Sequence, residues 1–367
     1  MNNKWTGKYF ILLILFLGIL GTTGISLYRK DNKIHQPILP NPSLKQLALT
    51  RGIELGNFAI FNHLNDKAYT DILTSQFDLA LVDNTPNWYF TDGGLRPTQT
   101  TFNFKQMDHI VNFAKVNNMA VQAHHYVWGE QKWLPKWLVN GNFSKQQLME
   151  IMHTHILKVG QHYSGQISQW TVVNEAFTRS EHLYDLHDWW ADHTGGNDYI
   201  DSAFIWARQA DPQSKLILND FNNEAQNNTS DAMYSYMKAA LGRGVPIDGI
   251  GMQMHLDGTI PPSKLGVINN MRRFAGLGLG IYVTEFDVNM SGVKGSKNYK
   301  DQLEAKIYYD MMRACIESQV CHSFAYLGIT DAETWYNYMG LHNPMPLMFD
   351  KKYQPKRAFY AVKSALE

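Results

Sequence analysis

Short apolar runs alternate with longer amphipathic stretches along most of the chain. Eight of the runs have the length and the β-branched content of buried strands, and the stretches between them repeat apolar residues with a helical period. The predicted strands are Leu55–Ile60, Phe77–Val82, Ala120–Tyr126, Gln169–Val173, Lys215–Leu218, Gly249–Gln253, Gly280–Thr284 and Ser323–Leu327. The predicted helices include Phe104–Val116, Ser144–Val159, Tyr199–Ala210, Asp231–Leu241, Pro262–Phe274 and Tyr299–Glu317. Strands and helices in this alternation predict an α/β fold, a closed (β/α)8 TIM barrel in one domain over residues 46–367.

A doubly wound open sheet is the competing α/β fold. It requires a glycine-rich phosphate loop directly after the first strand, and the residues that follow Ile60 contain none. The sequence also has no internal repeat and no low-complexity tract. The closed barrel is therefore favoured.

The N-terminal residues differ from the rest of the chain. Lys4 and Lys8 precede the apolar run Tyr9–Leu20, an order that is typical of an export signal. Extended to residue 27, the apolar segment is just long enough to span a bilayer. Residues 1–27 are therefore predicted to be a signal peptide or an N-terminal membrane anchor, and 28–45, which contain three prolines, a linker. The protein is expected to be exported, either secreted or anchored to the outer face of the cytoplasmic membrane, and to touch the membrane only through this segment.

Composition excludes some function classes. The formal net charge is +0 and lysine and arginine form no long run, so no nucleic-acid surface is predicted. Aromatic residues make up 13% of the chain, which fits either an ordinary core or a groove that stacks on sugars. Cys315 and Cys321 are the only cysteines, and an exported chain favours a local disulfide between them over two free thiols. No Cys/His cluster has metal-ligand spacing, so neither a metal nor a cofactor is expected.

Two glutamates carry the candidate chemistry. Glu175 closes the apolar run that starts at Trp170, and Glu285 closes the run that starts at Ile281. An acid at the end of a buried strand lies at the rim where α/β barrels keep their catalytic groups. A single glutamate there is more often a solvated strand end or an ion-pair partner. Two such carboxylates are the minimal equipment for cleaving a glycosidic bond.

The sequence segments that contain these glutamates resemble the motifs of one enzyme family. Trp170–Phe177 (WTVVNEAF) closely resembles the acid/base signature of glycoside hydrolase family 10, the β-1,4-xylanase family, and Ile281–Asp287 (IYVTEFD) resembles its nucleophile strand. Further segments resemble other motifs of that family in the family's order: Ala123–Trp128 with Gln131, Leu218–Asn222, Ile247–Leu256, Cys315 with Cys321, and Gly328–Asp331 with Trp335. The resemblance extends from about Ser43 to Ala365.

This resemblance implies a retaining mechanism in which one carboxylate attacks the anomeric carbon and the other serves as acid and then as base. Glu175 matches the acid/base and Glu285 the nucleophile. His255 is expected to orient Glu285 and keep it ionised, while Asp287 holds the imidazole. Asn174 is expected to bond the sugar 2-hydroxyl. Glu175 must start protonated, so burial or the nearby Glu285 should raise its pKa.

The resemblance also implies a set of sugar-binding residues. The side chains expected to line the subsite of the cleaved sugar are Asn84, His124, Trp128 and Gln253, and Gln131 belongs to the same third-strand motif. Trp335 has two open roles, stacking on a sugar or ordinary packing. Asp220 is expected to have a structural or supporting role. The cysteine pair Cys315–Cys321 stands where many members of the family carry a local disulfide.

The chain departs from the family pattern at four places around the non-reducing-side subsites. Leu327 stands where the family usually has tryptophan, Asn87 replaces the lysine before Trp88, and Gly129 replaces a histidine. Two extra residues, Lys132 and Trp133, complete the set. These changes remove one cationic contact and one aromatic platform from the sugar grip. Trp133 offers a substitute aromatic surface.

The resemblance therefore predicts a retaining endo-β-1,4-xylanase that hydrolyses xylan-type polysaccharide as a monomer without a cofactor. One alternative is the same mechanism on another β-linked glycan or glycoside, for which the altered sugar grip argues. A second alternative is a non-catalytic carbohydrate-binding protein, which would be expected to lack one of the two carboxylates. Both Glu175 and Glu285 are present.

Overall fold

Nine parallel strands form one sheet that closes on itself within the part of the chain that the computed structural model describes, residues 39–82, 94–177 and 188–367. The strands are β1 (Glu54–Ala59), β2 (Leu79–Val82), β3 (Ala120–Trp128), β4 (Gln169–Asn174), β5 (Lys215–Asp220), β6 (Gly249–Met252), β7 (His255–Asp257), β8 (Gly280–Asn289) and β9 (Cys321–Tyr326). Their order is β6-β5-β4-β3-β2-β1-β9-β8-β7, and β6 also pairs with β8. Since β6 and β7 share one place beside β8, the sheet has eight positions, which confirms the predicted (β/α)8 barrel.

All eight predicted strands are shifted at one or both ends, most of them by one or two residues, and two of the differences shape the mouth of the barrel. The sixth predicted strand breaks after Met252, because Met254 adopts a left-handed backbone with φ 59° before β7 resumes at His255. The seventh, β8, was expected to end at Thr284 and continues to Asn289 because β7 pairs with its last residues. The sequence suggested that Glu285 lies at the end of a strand, but it lies inside β8.

Helices follow the strands and pack on the outside of the barrel. They are α1 (Leu44–Leu49), α2 (Lys67–Gln76), α3 (Lys105–Val116), α4 (Lys136–Val139), α5 (Lys145–His162), α6 (Trp189–Thr194), α7 (Asp198–Ala210), α8 (Asn228–Gly242), α9 (Lys264–Ala275), α10 (Lys297–Ser318) and α11 (Arg357–Leu366). Side-chain caps fix several starts: Ser43 and Ser144 each form a capping box with the glutamine three residues later. Helix α1 takes the last two residues of the predicted linker 28–45.

The core lies mostly between the barrel wall and the helices, where the apolar side of each strand meets the apolar face of a helix. A smaller cluster fills the barrel interior and consists of Phe58, Leu79, Leu81 and Ala325. Half-buried Leu327 packs against this cluster from the carboxyl end of β9. Apolar side chains therefore fill the barrel interior, and the polar groups lie nearer the carboxyl ends of the strands.

A disulfide joins Cys315 near the end of α10 to Cys321 at the start of β9, with 5.2 Å between the two Cα atoms. The predicted cysteine pair is thus present. Elsewhere in the described ranges, no helix is long and apolar enough to cross a bilayer. The predicted signal or anchor at residues 1–27 lies outside those ranges, as do Asn84, Asn87 and Trp88.

A buried ion cluster fastens the loop after β9 to the outer helices. The ammonium of Lys356 lies 2.7 Å from Glu304 Oε1 of α10 and 2.9 Å from Asp331 Oδ2. It also donates to the carbonyls of Met345 and Leu347. Burial raises the pKa of Glu304 to about 8, although Lys356 opposes that shift. The ammonium of Lys356 is thus the shared partner of two carboxyls and two backbone carbonyls in a buried place.

Candidate active site

Glu175 and Glu285 both lie at the carboxyl-end mouth of the barrel, on β4 and β8. Glu175 directly follows the last residue of β4 and has φ 58°, a left-handed backbone that turns the chain across the mouth. Its backbone N–H donates to the carbonyl of Asn219 on β5. Glu285 lies inside β8 and is only 7% exposed. The two predicted carboxylates therefore face one site from two walls of the barrel.

A chain of side-chain amides connects the two carboxyls. Asn219 Nδ2 donates to Glu285 Oε1 at 2.9 Å and to Asn174 Oδ1 at 2.8 Å. Gln253 Nε2 donates to the same Asn174 Oδ1 at 3.2 Å and to Glu175 Oε1 at 2.9 Å. Because Asn174 Oδ1 accepts both bonds, its own Nδ2 is the group that can donate to a substrate. The amides fix the positions of both carboxyls before any ligand arrives.

The two carboxyls have opposite pKa shifts. Burial raises the pKa of Glu175 to about 7, with Asp220 and Glu285 adding to the rise, while hydrogen bonds from Gln253 and Trp128 oppose it. Burial also acts to raise the pKa of Glu285, but His124, His255 and the amide of Asn219 outweigh it and hold the pKa below the usual value. Near neutral pH the first can hold a proton that the second has lost.

A histidine supported by a buried carboxylate lies behind Glu285. His255 places Nε2 3.5 Å from Glu285 Oε2 and Nδ1 3.1 Å from Asp287 Oδ1. Burial alone would lower the pKa of His255, but Asp287 and Glu285 raise it to about 10. Asp287 in turn accepts hydrogen bonds from Trp335 Nε1 and Tyr336 Oη, both at 2.8 Å. His255 is therefore an imidazolium that faces the carboxylate of Glu285.

The third-strand residues approach both carboxyls. His124 Nε2 lies 3.5 Å from Glu285 Oε1, and burial lowers the pKa of His124 although the charge of Glu285 opposes that shift. Trp128 Nε1 donates to Glu175 Oε2 at 2.8 Å. Gln131, by contrast, is exposed in the single-turn helix Gln131–Trp133, and no hydrogen bond between described residues joins it to either glutamate.

The structure explains the glycine that replaces the family's histidine. A Cβ at Gly129 would collide with the carboxylate of Asp188, which caps helix α6 by accepting from the backbone of Trp190 and Ala191. The carbonyl of Gly129 also accepts from Trp189 N. Asp188 thus occupies space beside the third strand that a larger residue would need.

Several site residues were not singled out from the sequence. Asn219 belongs to the motif Leu218–Asn222 but had no predicted role, and its amide donates to Glu285. Thr284 Oγ1 in turn donates to Asn219 Oδ1 at 2.8 Å and fixes the orientation of the amide. Gly251 gives Asn219 room, because a Cβ there would collide with its side-chain oxygen. Tyr336 follows Trp335 and completes the support of Asp287. Asn219 could have been predicted as a site residue from the sequence, because it is polar and lies next to Asp220 at the end of an apolar strand.

No group of three or more histidine, cysteine or acidic side chains is arranged to hold a metal ion in residues 39–82, 94–177 and 188–367. Among the residues that the structure describes, His124 and His255 are the basic side chains in contact with Glu285. The arrangement can deliver a proton from Glu175 and a nucleophile from Glu285 to opposite sides of one bond.

Comparisons with known proteins agree with this geometry. The model of the family described as Glycosyl hydrolase family 10 matches residues 43–365. Endo-1,4-beta-xylanase B of Thermotoga neapolitana is 34% identical over 328 residues, which cover 88% of this chain and 91% of that protein. Beta-1,4-xylanase of Dictyoglomus thermophilum is 31% identical over 363 residues, covering 96% and 98%. Xylanase 10B from Thermotoga petrophila, solved in complex with xylobiose, superposes with a TM-score of 0.81 at 33% identity and covers 89% of this chain and 98% of its own.

Proposed function

Because this chain belongs to glycosyl hydrolase family 10, we propose that it is a retaining endo-β-1,4-xylanase. The observation that carries the proposal is the pair of carboxyls held by hydrogen bonds from side-chain amides. Glu175 has a pKa of about 7, and the pKa of Glu285 is lowered. The relatives named as xylanases and the neighbour solved with xylobiose support a xylan-type substrate. The presence of both carboxylates with their supports argues against a protein that only binds carbohydrate.

In the first step, Glu285 attacks the anomeric carbon as a carboxylate while the bond from that carbon to the glycosidic oxygen breaks. Glu175 transfers its proton to the departing oxygen, so the leaving sugar departs as an alcohol. The sugar on the other side stays bound to Glu285 as an ester. We expect Asn174 Nδ2 to donate to the 2-hydroxyl of this sugar, because Asn174 Oδ1 already accepts from Asn219 and Gln253.

In the second step, a water molecule attacks the same carbon. Glu175 is now a carboxylate and accepts the proton of that water, while the bond to Glu285 breaks and the carboxylate returns. Two inversions leave the product with the configuration of the substrate. In the free enzyme His255 is an imidazolium facing Glu285, and it stabilises the carboxylate that the second step restores.

Purified protein offered xylan, mixed-linkage glucan, cellulose and aryl glycosides tests the proposal. We expect reducing ends to be released from xylan fastest, with internal cuts that lower viscosity early. Faster release from a glucan would favour the alternative of the same mechanism on another β-linked glycan. Binding to xylan without release from any substrate would favour a carbohydrate-binding protein and contradict the proposal.

The pH dependence of kcat/KM should follow the two carboxyls. Activity is expected to rise from acid pH as Glu285 ionises and to fall as Glu175 loses its proton near about pH 7. Trp128→Phe removes an indole N–H that stabilises ionised Glu175. Its upper limb should therefore move to higher pH. A pH–rate profile of both proteins measures this, and an upper limb that stays in place would mean that another group is the acid.

The departure at Leu327 should set the width of the sugar site. Leu327 follows β9, its N–H donates to Phe286 O next to Glu285, and its side chain packs on the interior cluster around Phe58. Phe58 in turn contacts His124 edge to face at 6.5 Å. Leu327→Trp should keep or raise turnover of unbranched xylo-oligosaccharides through stacking, worth about 1 kcal/mol, and reduce tolerance for substituted ones. The ratio of specificity constants on one unsubstituted and one substituted oligosaccharide measures both; an unchanged ratio would place Leu327 away from the sugar.

We propose further that the protein acts outside the cytoplasm as a monomer. Lys4, Lys8 and the following apolar run support export, and the disulfide between Cys315 and Cys321 suits an oxidising compartment. Fractionation of the producing cells with N-terminal sequencing, and sedimentation of the purified protein, test these two points. Protein found intact in the cytoplasm would contradict the first.

A further inference from the structure

The two-residue insertion Lys132–Trp133 forms a surface beside the catalytic mouth. It belongs to the single-turn helix Gln131–Trp133. The ring of Trp133 lies nearly parallel to that of Trp128, with an interplanar angle of 17° and 6.4 Å between centroids. Since Trp128 donates to Glu175, the insertion extends the aromatic surface outward from the acid/base side of the site.

A cavity of about 440 Å³ opens under this turn. The buried side chain of Leu134 and the half-buried side chain of Val139 supply its apolar surface, and the amides of Gln131 and Asn140 line its polar side. That volume falls in the range of small-ligand sites and accommodates a single sugar ring. The mixture of an apolar wall and amides is what a pyranose, with its apolar face and polar edge, requires.

The cavity carries an excess of positive charge. Lys132 lines it and lies 3.9 Å from the carboxylate of Glu130. Lys136 lines it as well, is exposed, and makes no ion pair or side-chain hydrogen bond with any residue in the described ranges. With one carboxylate and two ammonium groups, the lining is complementary to a ligand that bears one negative charge.

We propose that this cavity binds a uronic acid branch of the polysaccharide. A uronic acid carries one carboxylate on a pyranose ring, and Lys136 and Lys132 are placed to receive that charge. The apolar face of the branch packs on Leu134 and Val139, while the main chain follows the Trp128–Trp133 surface. The inference rests on the proposed function, because it assigns a branch to the polysaccharide that the two glutamates cleave.

Three xylo-oligosaccharides of equal backbone length test it. One is unbranched, one bears a glucuronic acid branch, and one bears the same branch after chemical reduction of its carboxyl to an alcohol. We expect the wild-type kcat/KM to be about fivefold higher on the acidic than on the reduced oligosaccharide, the scale of solvent-exposed ion pairs. The Lys132→Met/Lys136→Met variant should lose this preference and keep its rate on the unbranched compound.

Lys115→Met is the matched control, because it removes the same charge from an exposed position at the end of α3, before β3 begins, whereas the insertion follows the other end of β3. It should keep the preference. Equal wild-type rates on the two branched compounds, or a preference that survives in the double variant, would overturn the inference. If the wild type cleaves none of the three, the proposed function fails instead, and calorimetric affinities for the two branched compounds then decide the inference by the same expected ratio.

Discussion

Glu285→Ala is expected to lower hydrolysis by at least about 10⁴-fold, because it removes the nucleophile on which both chemical steps depend. The fold should survive, since the neighbours His124, His255 and Asn219 remain and the vacated space lies at the solvent-connected mouth. Steady-state rates on an aryl xyloside and circular dichroism measure the two effects. Glu150→Ala, which removes an exposed glutamate of α5, is the control and should leave the rate unchanged.

Azide can then identify which glutamate plays which role. In Glu285→Ala, azide can enter the space beside His255 and attack the anomeric carbon directly, giving a product of inverted configuration. In Glu175→Ala the ester on Glu285 still forms on a substrate with a good leaving group, so attack by azide gives a product of retained configuration. Proton NMR of the two glycosyl azides distinguishes these outcomes. Near wild-type hydrolysis by Glu285→Ala would show that the nucleophile lies elsewhere.

Lys356→Met should cost about 3–5 kcal/mol of unfolding free energy, the usual loss when one partner of a buried ion pair is removed. The variant would leave the carboxyls of Glu304 and Asp331 facing each other without their cation. Urea unfolding measures the change. The control is Lys297→Met, whose ammonium pairs with Asp301 on the surface and is 76% exposed, so it should cost less than about 1 kcal/mol.

The loss should also depend on pH. The folded-state pKa of Glu304 is about 8, above its ordinary value of 4.5, so the stability that its protonation contributes is complete below about 4.5 and is lost as pH rises through 8. Lys356 lowers that pKa, and its removal should raise it further. The variant should therefore be destabilised more at pH 8 than at pH 5. Equal losses at the two pH values would mean that the lysine acts through its packing alone.

The repeating pattern predicted the barrel because a parallel sheet under helices is buried on both faces and needs uninterrupted apolar strands. The same reasoning ended β8 too early. Asp287 and Asn289 are polar, and they stay in the strand only because β7 pairs with them and Trp335 and Tyr336 donate to Asp287. Those partners are 48 and 49 residues away from Asp287 in the chain, so no local pattern reveals them.

Recognition of motifs placed Glu175, Glu285, His255, Asp287, Asn174 and Gln253 in the site before any geometry was known, and the structure brings these six together. Gln131 makes no hydrogen bond to either glutamate among the described residues, and its role in binding substrate stays a prediction. The role of Asn219 depends on three strands meeting, since it joins β5 to Asn174 on β4 and Glu285 on β8. The absence of a histidine at Gly129 was visible in the sequence, but only the structure shows that Asp188 fills the space.

At position 175 the proposed reaction and the backbone conformation favour different residues. A left-handed conformation with φ 58° costs a residue that has a Cβ roughly 1–2 kcal/mol and costs glycine almost nothing. The proposed acid/base role nevertheless requires the carboxyl of a glutamate there. Glu175→Gly would therefore remove the acid/base group and the backbone strain in one substitution, but it would also leave Trp128 Nε1 and Gln253 Nε2 without the carboxyl that accepts from them.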